Sequence, residues 1–195
     1  MFSSPIRQTL SPHTLLPSRI YYPRRCTMKT LTSISIFPTK VNYKSLLKYI
    51  AIPLIVGIVA ALFTSNSMKT FDALYKPALS PPAWLFPIAW TILYTLMGIS
   101  AYIISISNAE PIEKAKSLTI YTYQLAVNFL WPILFFNFQW YLFSFLWILL
   151  LILLVFLMIR SFYKINKTAA YLNIPYLLWL MFAAYLNFSI WFLNR

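Results

Sequence analysis

The chain has 195 residues, of which 61% are apolar, 19% aromatic and only 10% charged. Soluble domains carry about 25% charged residues, so a chain that faces water over its whole surface is excluded. One cysteine, Cys26, and one histidine, His13, exclude an internal disulfide framework and Cys/His metal clusters. The formal charge of +13 is unevenly spread: residues 1–48 hold eight Lys/Arg and no acid, whereas residues 49–195 hold eight Lys/Arg against three acids. That is the pattern of a basic arm on a membrane protein.

Two regions follow, an arm over 1–45 and a membrane domain over 46–195. The arm is rich in Ser, Thr, Pro and Arg. This is the composition of a disordered basic tail and equally of an organelle transit peptide; Met28 would also begin a plausible shorter chain. Pro5, Pro12, Pro17, Pro23 and Pro38 argue against one continuous amphipathic targeting helix. No apolar core of secretory-signal length precedes residue 45. Nucleic acid is not an expected partner, because the arm has charge without a recognisable fold or interleaved aromatics.

A bilayer core of about 30 Å takes roughly 20 apolar helical residues. Tyr49 to Met68 carries no charge and forms the first span; Lys69 to Pro82, with paired prolines, is an interfacial connector. The second span covers about Ala83 to Ser107, and Glu110, Glu113, Lys114 and Lys116 form a polar break. From Ser117 to Ile159 no residue is charged. That length is about two spans, so a tight turn is predicted within it, at Asn137–Gln139. Arg160, Lys164 and Lys167 close the fourth span, and the fifth runs from about Ala169 to Leu193. The predicted fold is therefore all-α, an integral membrane bundle of five transmembrane helices; the alternation of barrel strands is missing. The Lys/Arg bias of the loops favours an inside N-terminus and an outside C-terminus.

The predicted spans hold no ionisable residue, which disfavours proton- or ion-coupled transport. The three acids all fall in predicted connectors, so no Ser-His-Asp, Cys-His or paired-carboxylate set can be assembled. What remains is aromatic area with a few amides, suited to a large, flat, apolar ligand. Three stripes carry it at helical spacing: Trp90, Tyr94 and Gly98; Asn128, Trp131 and Phe135; Trp179, Ala183 and Asn187. The same stripes also describe ordinary bundle packing, in which an Asn bonds a neighbouring helix. Trp84 and Trp191 read as interfacial anchors.

Phe71-Asp72-Ala73-Leu74-Tyr75-Lys76-Pro77, Pro81-Pro82-Ala83-Trp84, Pro87-Ile88-Ala89-Trp90-Thr91-Ile92-Leu93-Tyr94 and Met97-Gly98 resemble the first-loop and second-helix signature of the TspO/MBR family. These are the tryptophan-rich sensory proteins, also known as translocator protein or peripheral-type benzodiazepine receptor. Gln124 to Pro132 with Phe135-Phe136, Pro175 to Trp179, and Ala183 to Asn187 resemble its later helices in order. The resemblance covers roughly residues 46–195. It implies a five-helix fold, binding of porphyrins (notably protoporphyrin IX) and of sterol or drug-like ligands, and a homodimer. By position it implies a pocket of Trp90 and Tyr94, of Asn128, Pro132 and Phe135, and of Trp179 and Ala183, with Phe71 from the covering loop. No catalytic residue, metal or required cofactor is expected; porphyrin is the expected ligand. The alternative is light-dependent porphyrin breakdown at Trp90 and Trp179, an enzyme-like activity. The sterol pattern of the last helix is not met, since Tyr185 lies too far from Arg195. For self-association the third span is the expected interface, through Ala126 and Asn128. The abundance of Lys, Ile, Tyr, Phe and Asn suits an AT-rich genome and a bacterial inner membrane, with a mitochondrial or plastid envelope as the alternative. Transport, sensing and degradation all remain open at this level.

Overall fold

A computed structural model describes residues 42–67 and 73–195. The expectations for residues 1–41, and for Phe71, lie outside the described residues. Among those described there are helices and no strand. Five stretches are long and apolar enough to cross a membrane: Tyr43–Ser67, Leu85–Ser105, Pro111–Asn137, Tyr141–Ile165 and Lys167–Leu193. The all-α bundle of five transmembrane helices is thus the fold, and the protein is an integral multi-pass membrane protein.

Helix α1 spans Tyr43–Thr64 and is capped by Asn42, whose side chain accepts from the Ser45 amide at 3.2 Å. It begins six residues before the charge-free stretch. Lys44 and Lys48 lie in its first turns, where long stems can cross apolar surface and deliver the ammonium to water. Helix α2, Leu85–Ser105, starts after the paired prolines. Helix α3, Pro111–Pro132, opens with Pro at its first position and Glu113 in its first turn. Both suit a helix N-terminus, so Glu113, Lys114 and Lys116, expected in a connector, belong to the helix.

Pro132 has no N–H to continue the α-helical ladder. A five-residue π-helical turn, Ile133–Asn137, follows it, with the Phe138 amide donating to the Ile133 carbonyl at 3.1 Å. Gln139 then takes φ 56°, and α4 begins at Tyr141 and runs to Ile165. The tight turn falls where the sequence places it. Asn137 secures it: its Nδ2 donates to the Phe63 carbonyl at 2.9 Å and its Oδ1 accepts from Ser67 Oγ at 2.7 Å, tying the end of α1 to the turn.

Helix α4 extends past Arg160 to Ile165, so Arg160 is helical and Lys164 lies in the last turn. Asn166, extended at φ −151°, ends α4 and caps the short α5, Lys167–Tyr171, by accepting from the Ala169 amide. Helix α6, Ile174–Leu193, completes the bundle, with Pro175 in its first turn. Beyond it, Asn194 pairs with Tyr75, accepting from its N–H and donating to its carbonyl, each at 3.0 Å.

Lipid supplies little hydrophobic drive for helix association, so close packing and interhelical hydrogen bonds must hold the bundle. Gly98 lets α1 and α2 approach: a Cβ there would lie 2.5 Å from Ile50 Cα and 2.7 Å from the Tyr49 carbonyl oxygen. Small polar groups tie other pairs. Ser117 and Ser161 join α3 to α4 at 2.6 Å, and Asn187 Nδ2 on α6 donates to Ser144 Oγ on α4 at 3.2 Å. Asn173 Nδ2 donates to Ser100 Oγ at 2.6 Å, while Ser100 donates to the Ala169 carbonyl at 2.7 Å. Met97, Ile104, Val155, Met158, Phe162 and Tyr176 form the centre of the apolar core.

Candidate functional site

The polar interior of the bundle is a chain of side chains drawn from α2, α3 and α6. Tyr94 donates its hydroxyl to Asn128 Oδ1 at 2.8 Å. Asn128 Nδ2 donates to the Tyr176 hydroxyl at 2.6 Å, and that hydroxyl donates onward to Gln124 Oε1 at 3.1 Å. Gln124 Nε2 ends the chain at Met97 Sδ, 3.7 Å away. All five residues are buried. The spacing explains the assembly: Gln124 and Asn128 are four apart on α3, so their amides share one face. In this apolar surrounding each amide or phenol must find a partner or bear a desolvation cost; the chain satisfies them in series.

Trp90, half-buried, roofs this chain. Its ring stacks on Tyr94 with centroids 5.3 Å apart and planes 30° apart, and meets the edge of Tyr176 at 6.2 Å. The Tyr94 ring in turn lies against Gly57 of α1, where any Cβ would run into it. The result is a set of aromatic planes whose orientation is held by hydrogen bonds rather than by packing alone. Among the described residues no group of three or more His, Cys, Asp or Glu could hold a metal ion. The chemistry available is stacking and neutral hydrogen bonding.

Two further aromatic groups stand apart from this chain. Near the end of α3, which terminates at Pro132, Trp131 stacks on Phe135 at 5.4 Å, and Phe135 meets Tyr141 edge-on at 5.2 Å. The Trp131 indole nitrogen is buried without a hydrogen-bond partner. Between α2 and α6, Trp179 touches Phe86 at 6.0 Å and Phe182 at 5.8 Å. It lines an open groove of about 410 Å³ with Ala89, Ile92, Leu93, Pro175 and Leu178.

Of the residues singled out in the sequence, the structure therefore brings together Trp90, Tyr94 and Asn128. Phe135 belongs to the α3-end group, with Pro132 just before the π-helical turn. Trp179 faces the α2–α6 groove, and Ala183 is buried one turn further along α6. Asn187, at the end of that stripe, is engaged with Ser144 of α4, which is the packing role rather than the ligand one. Asn128 points into the bundle, so only Ala126 of the two residues expected at a self-interface is on the outside. Sequence reasoning missed Tyr176 and Gln124 as members of the site. The signal was present: Gln124 precedes Asn128 by one turn, and Tyr176 precedes Trp179 by three residues.

Fold and site together define a class: a five-span α-helical membrane protein whose interior joins tryptophan and tyrosine faces to a buried amide–phenol chain. Comparison with known proteins gives the same answer, for the TspO/MBR family profile matches residues 49–192. The chain belongs to the TspO/MBR family. Tryptophan-rich protein TspO of Archaeoglobus fulgidus is 41% identical over 154 residues, covering 78% of this chain and 99% of that protein. Protein CrtK of Rhodobacter capsulatus is 36% identical over 138 residues, 71% of this chain and 85% of its own length. Human Translocator protein is 33% identical over 127 residues, 65% of this chain and 75% of its own.

Proposed function

We propose that this protein is a membrane receptor or sensor, or a carrier, for tetrapyrroles, with protoporphyrin IX as the ligand to test and other flat apolar molecules sharing its chemistry. The observation that carries the reading is the half-buried Trp90 indole stacked on a Tyr94 ring whose hydroxyl is fixed by Asn128. Aromatic faces held in place in advance can stack on a macrocycle with little further ordering cost. Relatives whose names contain "sensory protein" and "Translocator protein" support a sensing or carrier role over a purely structural one. Homodimerisation, and residence in a bacterial inner membrane rather than an organelle envelope, belong to the same proposal. Light scattering in detergent tests the first; intact mass of the native protein, by showing whether residues 1–27 are retained, tests the second.

The second reading, light-dependent porphyrin breakdown, draws on the same indole, because an electron-rich ring stacked near a photoexcited macrocycle is a ready electron donor. One titration separates the readings. Purified protein in detergent is titrated with protoporphyrin IX in the dark and tryptophan quenching is followed; the sample is then illuminated. Saturable dark quenching, weakened by Trp90→Phe, is expected for the receptor. Absence of saturable quenching rejects both readings. Saturable binding without bleaching under light rejects the breakdown activity, and bleaching that survives Trp90→Phe with Trp179→Phe shows that these indoles are not its donors.

A further inference from the structure

The outward face of α4 changes character along its length. Leu146, Leu149, Leu150, Leu153, Phe156 and Leu157 are all exposed, between 41% and 55%. With 100° between successive residues they form one stripe, and Arg160, Tyr163 and Lys164 continue that stripe at the helix end. The break at Asn166 then turns the chain so that Lys167 joins the same patch: its Nζ lies over the Tyr163 ring at 5.6 Å. Tyr171 of α5 meets Tyr163 edge-on at 6.0 Å. Arg160, Lys164 and Lys167 are all exposed. Among the described residues Glu113 is paired with Lys116 at 3.6 Å, and no carboxylate is paired with these three cations. Among the described residues the patch is therefore three positive charges without a partnered carboxylate, flanked by two tyrosines, at the end of an apolar lane about as deep as a lipid tail is long.

We propose that this face of α4, completed by α5, binds an anionic phospholipid, with its phosphate held by Arg160, Lys164 and Lys167 and an acyl chain lying along Leu153, Phe156 and Leu157. The geometry favours a lipid over a free anion because charge and apolar lane are continuous on one helix face. It favours an anionic over a zwitterionic lipid because three cations meet one phosphate without an acid to balance them. The tyrosines sit where amphipathic rings belong, at the headgroup boundary. This site is separate from the Trp90 chain, and the inference does not depend on the proposed ligand.

Native mass spectrometry of the full chain in neutral detergent tests it, with phosphatidylglycerol, phosphatidylcholine and inorganic phosphate as separate additions. Phosphatidylglycerol is expected to be retained and phosphatidylcholine lost. Each cation near an anionic headgroup contributes roughly a fivefold effect, so Arg160→Gln/Lys164→Gln/Lys167→Gln should weaken retention about a hundredfold, and Lys164→Gln alone roughly fivefold. Lys44→Gln/Lys48→Gln/Lys116→Gln removes three positive charges from the same end of the bundle and should change retention less than about twofold. Equal losses in the two triple variants would reduce the effect to general charge and overturn the site. Equal retention of phosphatidylcholine, or displacement by millimolar inorganic phosphate, would overturn it as well. Circular dichroism and melting of each variant confirm that the bundle is intact.

Discussion

Replacing Tyr176 with Phe removes one oxygen and nothing else from the centre of the bundle. That oxygen accepts from Asn128 at 2.6 Å and donates to Gln124 at 3.1 Å, so both amides lose a partner, at 2% and 0% exposure respectively. Interhelical hydrogen bonds in membranes contribute on average about 0.6 and at most about 1.7 kcal/mol each. Two of them give a loss of about 1 to 3 kcal/mol, or roughly a fivefold to 150-fold change in the folding equilibrium. Reversible unfolding in mixed micelles of mild detergent and SDS measures it. The informative comparison is a double-mutant cycle with Asn128→Leu, which removes the amide that Tyr176 receives from. If the two side chains act as one chain, the double variant should be more stable than the sum of single losses predicts, by about 1 kcal/mol. Strict additivity, or a Tyr176→Phe protein as stable as the parent, would refute the account of the chain as a coupled unit.

Gly98→Val should lower stability by about 1 to 3 kcal/mol or more, because the atoms it meets are backbone of α1 and cannot swing aside; the same SDS titration reads it. Gly57→Ala presses instead on the Tyr94 ring, so the bundle should survive while protoporphyrin quenching weakens several-fold as the Trp90–Tyr94 stack is displaced. Asn187→Leu removes the α4–α6 bond to Ser144, whose hydroxyl keeps its bond to the Tyr141 carbonyl, and should cost about 0.6 kcal/mol. Adding Ser144→Ala should cost little further in thermal melts, since the interhelical bond is already gone, whereas independent roles would give additive losses.

The spacing of charges along the chain was enough for the number of spans, because an uncharged run of about 20 apolar residues suits a bilayer crossing. The ends of the helices were harder to read. Lys44, Lys48, Arg160 and Lys164 look like stop signals in a one-dimensional search for charge, yet long stems let them stay helical at the interface. The tight turn was legible from Asn137 and Gln139, and the structure supplies the reason: Asn137 bonds the end of α1, which an apolar residue could not do. Trp90, Tyr94 and Asn128 were legible as stripe members because an amide among aromatics at helical spacing is conspicuous. Tyr176 and Gln124 were not, since a tyrosine passes for core and the partner of an amide depends on the register between helices. That register is set by Gly98 and by the polar pairs, and no single-helix periodicity contains it. Trp179 illustrates the same limit: it looks onto a groove rather than onto the Trp90 chain, while Asn187 of the same stripe bonds Ser144 of α4.

The short turn between α3 and α4 also bears on how the chain enters the bilayer. From Ser117 to Ile159 no charge is present, and the two helices are separated only by Phe138, Gln139 and Trp140. Carrying this turn across the membrane moves no net charge through the transmembrane potential, which otherwise does about 2.3 kcal/mol of work per elementary charge per 100 mV. Helices α3 and α4 can therefore partition as one preformed hairpin, whether or not the membrane is energised. In the orientation the loop charges favour, the connector between α1 and α2, with Lys69, Asp72 and Lys76, takes its charges through the field. With the N-terminus inside, as the Lys/Arg bias favours, the two interhelical connectors that cross thus differ, one taking charge through the field and the other electrically silent.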